Sequence, residues 1–366
     1  MDSGLSGEDS ATGPEALQVV ILDVGHGNSA IVRDGSAYAV IDAGRRRNAV
    51  TAAELDRLGC SRIEHLIVSH ADADHVGGMI RLLLDDSREI GTLWFNPDGA
   101  KNTDTWGQFL RSVDTRSRRG GLDDVRNIHT ACGSNPTVGR ATMEVVHPSI
   151  EFAGRGPTPP RQRVPEYGRL EANSLSVVLR IMFDGQPVAV LAADLDAVAL
   201  RHIVDRVHPL EAPVLVFPHH GGLPGTHDAR EFAKSLMSEV DPKLVIFSIS
   251  GDRRAANPRL EILAGVREAV PAAHIACTQL SVHCHTEHGQ VDDWHLARGH
   301  AAGRAERRCC AGTVTITQIN GVLAFDPPLE RHQAFVSEAV MTPRCASAVF
   351  IPRQALGGIV DPTRPV

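Results

Sequence analysis

One pattern limits what this chain can fold into: short apolar runs that each stop at an acidic or histidine residue. In residues 66–79 the run Leu66-Ile67-Val68 ends at Ser69. Four residues able to bind metal then follow within six positions: His70, Asp72, Asp74 and His75. Val76-Gly77-Gly78-Met79-Ile80 reads as the first turn of a helix. The ending recurs where residues 38–41 run into Asp42, 188–192 into Ala193-Asp194, and 214–217 into Pro218-His219-His220. Apolar runs this short are buried strands. In a layered α/β fold, strand ends of this kind line up along one edge.

The rest of the chain fits that rhythm. Strands are expected at 18–23, 29–33, 38–41, 63–69, 92–95, 141–146, 175–183, 188–192, 214–217, 244–248 and 313–319. Helices are expected at 48–58, 76–84, 105–113, 198–207, 231–239 and 260–270. Asp34-Gly35 and Asp184-Gly185 are hairpin turns. Val24-Gly25-His26-Gly27-Asn28 is a loop that glycines make possible. The basic run RSRRGG at 116–121 reads as a solvated turn. Residues 150–170, with four prolines and four arginines, read as a long irregular loop, of the kind that either serves as a lid or is merely disordered. The expected organisation is a leader at 1–16, one domain at 17–326 with a Cys/His-rich insertion at about 277–312, and an extended tail at 327–366.

Composition excludes some functions. A net charge of −7 does not suggest a nucleic-acid platform. There is no apolar run of about 18 residues, so no membrane span is expected. The N-terminus lacks a basic start and an apolar core, which points to a cytoplasmic protein. Seven cysteines argue against a disulfide framework.

The ligand-type residues suggest a pair of divalent metals, which needs three or four side chains for each ion and a bridging carboxylate. His70 and Asp72 project together from an extended loop, and Asp74 and His75 follow where the chain turns into a helix. Asp194 reads either as a bridging ligand or as a helix N-cap before Leu195–Leu200; the other strand ends favour the ligand. His219 closes the second position.

Four pieces carry a resemblance: ILDVGHGNSAIV with VIDAG, SHADADHVGG, the hairpin ANSLSVVL…VAVLAAD, and VFPHHGG. They span about 17–222. On them the chain resembles the metallo-β-lactamase superfamily, and within it the hydrolase domain of ComEC-type DNA-uptake proteins. The resemblance implies an αββα sandwich with a two-metal site between its sheets. It also implies roles. His70 and Asp72 hold the first metal, while Asp74, His75 and His219 hold the second. Asp194 bridges, and Asp42 orients a ligand from behind. Asp74 helps place the nucleophilic water. Apart from the resemblance, His220 or a residue of the 150–170 loop is assigned to protonate the leaving group.

Departures from the family pattern stand at Asp72, where a histidine is common, and at Asn173, where a further histidine ligand is usual. The first position is therefore oxygen-rich, suiting Mn²⁺ as well as Zn²⁺, unless His147 reaches in. Ala193 replaces a glycine. GHGN replaces GQGD, putting His26 and Asn28 at the site rim, either to contact the substrate or to cap that loop; His147 is placed on the same rim. The implied function is hydrolysis of a phosphodiester, in nucleic acid or nucleotide. The alternatives are a small-molecule ester, lactone or thioester hydrolase, and a retired site kept for binding partners. A further structural zinc is expected on Cys277, Cys284, Cys309 or Cys310 with one of His283, His285 or His288.

Overall fold

Asp184 (φ 49°) and Gly185 (φ 74°) make the two-residue turn with both central residues left-handed, which matches the twist of paired strands. Around such turns the apolar strands pair into two sheets. The structure is a computed structural model. It describes residues 16–346 apart from 158–162, 165, 207, 226–227, 252–255, 285 and 287–289. All but the last residue of the expected leader lies outside this set.

The first sheet holds β1 (Leu17–Ile21), β2 (Ala30–Asp34), β3 (Ala37–Ile41), β4 (Arg62–Ile67), β5 (Glu89–Trp94) and β6 (Leu122–Arg126). The second holds β7 (Thr137–Val138), β8 (Ala141–His147), β9 (Val178–Phe183), β10 (Gln186–Leu191), β11 (Val214–Val216), β12 (Leu244–Phe247) and β13 (His274–Cys277). The chain then returns to the first sheet with β14 (Val314–Ile319) and β15 (Val322–Asp326), giving the order β15-β14-β1-β2-β3-β4-β5-β6. The second sheet runs β13-β12-β11-β10-β9-β8-β7.

Helices cover both outer faces. On the first sheet lie α1 (Val50–Arg57), α2 (Ala73–Val76), α3 (Met79–Leu84) and α4 (Asp104–Arg118). Their apolar sides pack with Val20, Val40, Leu66 and Leu93. Associated with the second sheet are α5 (Ile150–Arg155), α6 (Ala197–Asp205), α7 (Ala229–Val240), α8 (Leu260–Ala269) and α9 (Leu329–Ala339). A separate core between the sheets joins Val19, Val32 and Ile67 of one to Leu179, Leu191 and Val216 of the other. The architecture is the expected αββα sandwich. Each layer is held by its own apolar face, at about 1.5–3 kcal/mol for each large side chain fully buried.

The structure departs from the sequence reading in several places. The 327–366 segment is not an extended tail where it is described. Pro328 stands at the start of α9, whose Phe335 and Val336 sink into the core against the second sheet. RSRRGG at 116–121 is not a free turn. Arg116 belongs to α4 and is buried, donating to the carbonyls of Gly121 (2.8 Å) and Asp85 (3.0 Å) and pairing with Asp86. The 150–170 segment starts as α5, whose Ser149 cap accepts from the Phe152 N–H. Phe152, Val164, Leu170 and Leu175 then close a small apolar cluster.

Candidate metal centre

The strand ends meet. β3 leads to Asp42, β4 to His70, β10 to Asp194, β11 to His219 and His220, and β12 to Ser248. The β1–β2 loop brings His26 to the same place. Three imidazoles are set in one way. His75 places Nδ1 2.7 Å from Asp42 Oδ2. His70 places Nδ1 3.0 Å from Ser69 Oγ, which itself donates to Asp42 at 2.6 Å. His220 places Nδ1 2.8 Å from the Ser248 carbonyl. Carboxylate and carbonyl oxygens only accept, and Ser69 has its proton on Asp42. Each ring therefore donates from Nδ1 and turns a bare Nε2 forward.

Those three Nε2 atoms, with Asp194 Oδ1, are buried and make no hydrogen bond. Buried polar atoms are rarely left so. Lone pairs converging without protons between them are what a divalent cation fills, and an oxygen acceptor behind each histidine is how such ligands are held. Two groups of ligand atoms, each within 4.8 Å of one another, result: His70, His75 and Asp194, and His26, Asp74 and His220. His220 Nε2 links them, at 3.7 Å from both Asp74 Oδ2 and Asp194 Oδ1.

The electrostatics follow. Burial alone would raise the Asp194 pKa, but His75 and His220 hold it well below the usual carboxylate range. Asp74 is partly buried, and its contacts with His220 and His26 carry it the same way. Burial opposes a proton on His75, yet Asp194 and Asp42 together outweigh it and raise its pKa, a pull toward positive charge that a cation at Nε2 would answer in place of a proton. His70 shifts down, through burial first and then through His75. Negative charge is thus concentrated where the bare nitrogens point.

Local backbone makes this arrangement possible. Asp42 (φ 54°) and Ala193 (φ 46°) sit in the left-handed region, which explains why a glycine is usual at the latter. The next residue, Asp194, is not the helix N-cap; Asp196 is, accepting from the Ala199 N–H at 2.8 Å.

Other residues take different places from those read in the sequence. Asp72 is at the rim, paired with Lys101, with Oδ2 3.9 Å from His70 Nε2. Asn173 contacts His219 Nδ1 at 3.2 Å. The two adjacent histidines divide differently. His220 joins the Asp74 group, whereas His219 is about a third exposed and places Nδ1 3.0 Å from Asp194 Oδ2. His147 does not reach in; its Nε2 donates to the Ser174 carbonyl at 3.0 Å. Asn28 reaches the Ala193 carbonyl at 3.4 Å, bracing the loop rather than facing outward.

The expected zinc set does not assemble. Cys309 donates to Asp23 at 3.4 Å, Cys310 contacts His332 at 3.3 Å, and His283 reaches the Ala256 carbonyl. Among the described residues neither ligand group contains a cysteine, Cys277 and Cys284 included. His285 and His288 lie outside those residues. The sequence reading missed Ser69, Lys101 and Ser248. Of these, only Ser69 carried a signal, being adjacent to His70.

Residues 22–85, from the end of β1 to just past α3, match the family model described as the metallo-beta-lactamase superfamily. The chain has the metallo-β-lactamase fold. The match supports a metal-dependent hydrolase and covers Asp42, His70, Asp72, Asp74 and His75. No curated protein matches the chain. Among solved structures it is similar to Igni18, a metallo hydrolase from Ignicoccus hospitalis, at 16% identity over 71% of this chain and 94% of that one, with a TM-score of 0.40. It is also similar to the metallo-beta-lactamase fold protein YhfI from Bacillus subtilis (10% identity, 71% and 96%, TM-score 0.41). A diphosphatase of the PhnP family gives 14% identity, 72% and 94%, and a TM-score of 0.39. Among the described residues no helix is long and apolar enough to cross a membrane.

Proposed function

We propose that this chain is a two-metal hydrolase of phosphodiesters, acting on a nucleotide or a short stretch of nucleic acid. The observation that carries the two-metal part is the convergence of three bare Nε2 atoms on Asp194, each fixed from behind by an oxygen. Two bound divalent ions, Zn²⁺ or Mn²⁺, supply an activated water near neutral pH and offset the charge that grows on the phosphate. His70, His75, His220, Asp74 and Asp194 would hold them. Asp42 and Ser69 keep His70 and His75 in the right tautomer, and Ser248 does so for His220.

Charge on the rim supports an anionic substrate. Lys101 pairs with Asp72, and Arg45, Arg46 and Arg47 lie exposed just beyond Asp42. The net charge of −7 sets against a long polymer, whose binding rests on many neutralised phosphates. His219 is placed to protonate the leaving group. It is partly exposed over Asp194, which outweighs burial and raises its pKa.

Purified protein supplied with Mn²⁺ or Zn²⁺ should cleave bis-p-nitrophenyl phosphate, a cyclic dinucleotide or single-stranded DNA. Cleavage should vanish with chelator and in Asp194→Ala. Opening of a lactone alone would replace this reading with a small-molecule esterase, and no turnover of any substrate with metal bound would replace it with a binding role.

A further inference from the structure

We propose that His26 is itself a metal ligand, so that the position around Asp74 and His220 is closed by three side chains of its own. The proposal rests on the two-metal reading above. His26 Nε2 lies 3.1 Å from Asp74 Oδ2, and its ring centroid is 4.7 Å from that of His220. The ligand atoms of all three residues lie within 4.8 Å of one another. His220 Nε2 is buried, makes no hydrogen bond and faces Asp74.

The loop is built to hold His26 there. Gly25 (φ 75°) and Gly27 (φ 129°) adopt backbone that other residues rarely take. A Cβ at Gly27 would also collide with the Asp74 carbonyl, so the loop lies directly on the turn that carries Asp74. Asp23 Oδ1 accepts from the Gly25 N–H at 3.0 Å, and Asn28 reaches the residue before Asp194. Ser248 sets both imidazoles at once. Its hydroxyl donates to the Gly27 carbonyl at 2.7 Å while its own carbonyl takes the His220 proton. A residue on a mere substrate rim has no need of such bracing.

The ligand balance of the site gives this a consequence. At the first position Asp72 is paired with Lys101 and Asn173 is spent on His219, leaving His70, His75 and Asp194. At the second, His26 adds a nitrogen to Asp74 and His220. With His26 each position therefore has three side chains of its own; without it the second has two. Nitrogen donors suit Zn²⁺ and Co²⁺ there better than Mn²⁺.

The test uses the full-length protein stripped of metal. Co²⁺ is titrated against it, followed by visible absorption, and Zn²⁺ by competition with a chromophoric chelator. The wild type should take up two ions. In His26→Ala and His26→Gln one of the two should bind at least about tenfold more weakly, the lower bound for losing even a residue behind a ligand. His26→Gln keeps a donor to Asp74, so unchanged affinity in it would make His26 only an ion-pair partner and overturn the proposal. His26→Cys should restore tight binding and add a sulfur-to-cobalt charge-transfer band, which only direct ligation gives. Absence of that band with Co²⁺ bound would also overturn it. A wild-type protein that binds no metal would instead remove the two-metal reading beneath it.

Discussion

Asp42 is the most economical place to test how the site is held. Its Oδ1 accepts from the Ser69 N–H at 2.9 Å, and its Oδ2 accepts from Ser69 Oγ at 2.6 Å and from His75 Nδ1 at 2.7 Å. Asp42→Asn preserves the shape and replaces one acceptor with a donor. If the new amide nitrogen faces His75, that ring must move its proton to Nε2, the atom facing Asp194 at 3.2 Å, and it stops being a ligand. If the amide flips, its nitrogen meets the Ser69 N–H and a buried donor is stranded, at about 1–3 kcal/mol. On the first branch the residue behind a ligand is disabled, which costs 10–100-fold in metal affinity, or about 1.4–2.8 kcal/mol; on the second His75 keeps its acceptor and the loss falls on stability. Competition with a chelating dye measures the first directly, and unfolding in chelator reports the second. Zn²⁺ affinity within twofold of wild type with no loss of metal-free stability would refute the tautomer argument.

Two further outcomes are expected. Gly78→Ala puts a methyl inside van der Waals contact with the backbone carbonyl of Ala43, at an ordinary φ, so it should lower stability by about 1–3 kcal/mol in chemical denaturation; wild-type stability would show that the 43–44 strand end yields. Burial holds the His147 pKa down to about 3, so between the ordinary 6.5 and that value the unfolded chain binds a proton that the folded chain refuses, and stability falls as pH falls. From pH 7 to pH 5 this amounts to about 2 kcal/mol. His147→Gln should lose that dependence, as denaturation at the two pH values would show.

The strand ends were legible because dense apolar runs stop abruptly at Asp42, His70 and Asp194, and burial enforces that pattern. What was hidden obeys other rules. His219 and His220 are adjacent and both lie at positive φ (52° and 55°), so no periodicity tells which one turns inward. α9 spaces Leu329, His332, Phe335 and Val336 along one face. A histidine in that stripe and the prolines before it hide the helix. β6, LDDVR, is an edge strand whose charges are solvated, so it lacks the alternation that marks a half-buried strand. Lys101 and Ser248 act across the fold, and nothing near them in the chain announces a partner. Cys309 and Cys310 are adjacent in sequence but turn to different partners, Asp23 and His332.

The pairing of β1 with β14 bears on how the protein is made. β1 bonds β2 on one side and β14 on the other, Leu17 facing Gln318 and Ile21 facing Val314. During synthesis the strand LQVVI leaves the ribosome nearly three hundred residues before its second neighbour. At ~5–20 residues per second that interval lasts on the order of fifteen seconds to a minute. Throughout it the nascent chain carries an open, apolar strand edge, the kind of template on which chains join one another. Production of the protein should therefore depend on how well that edge is shielded until β14 is made.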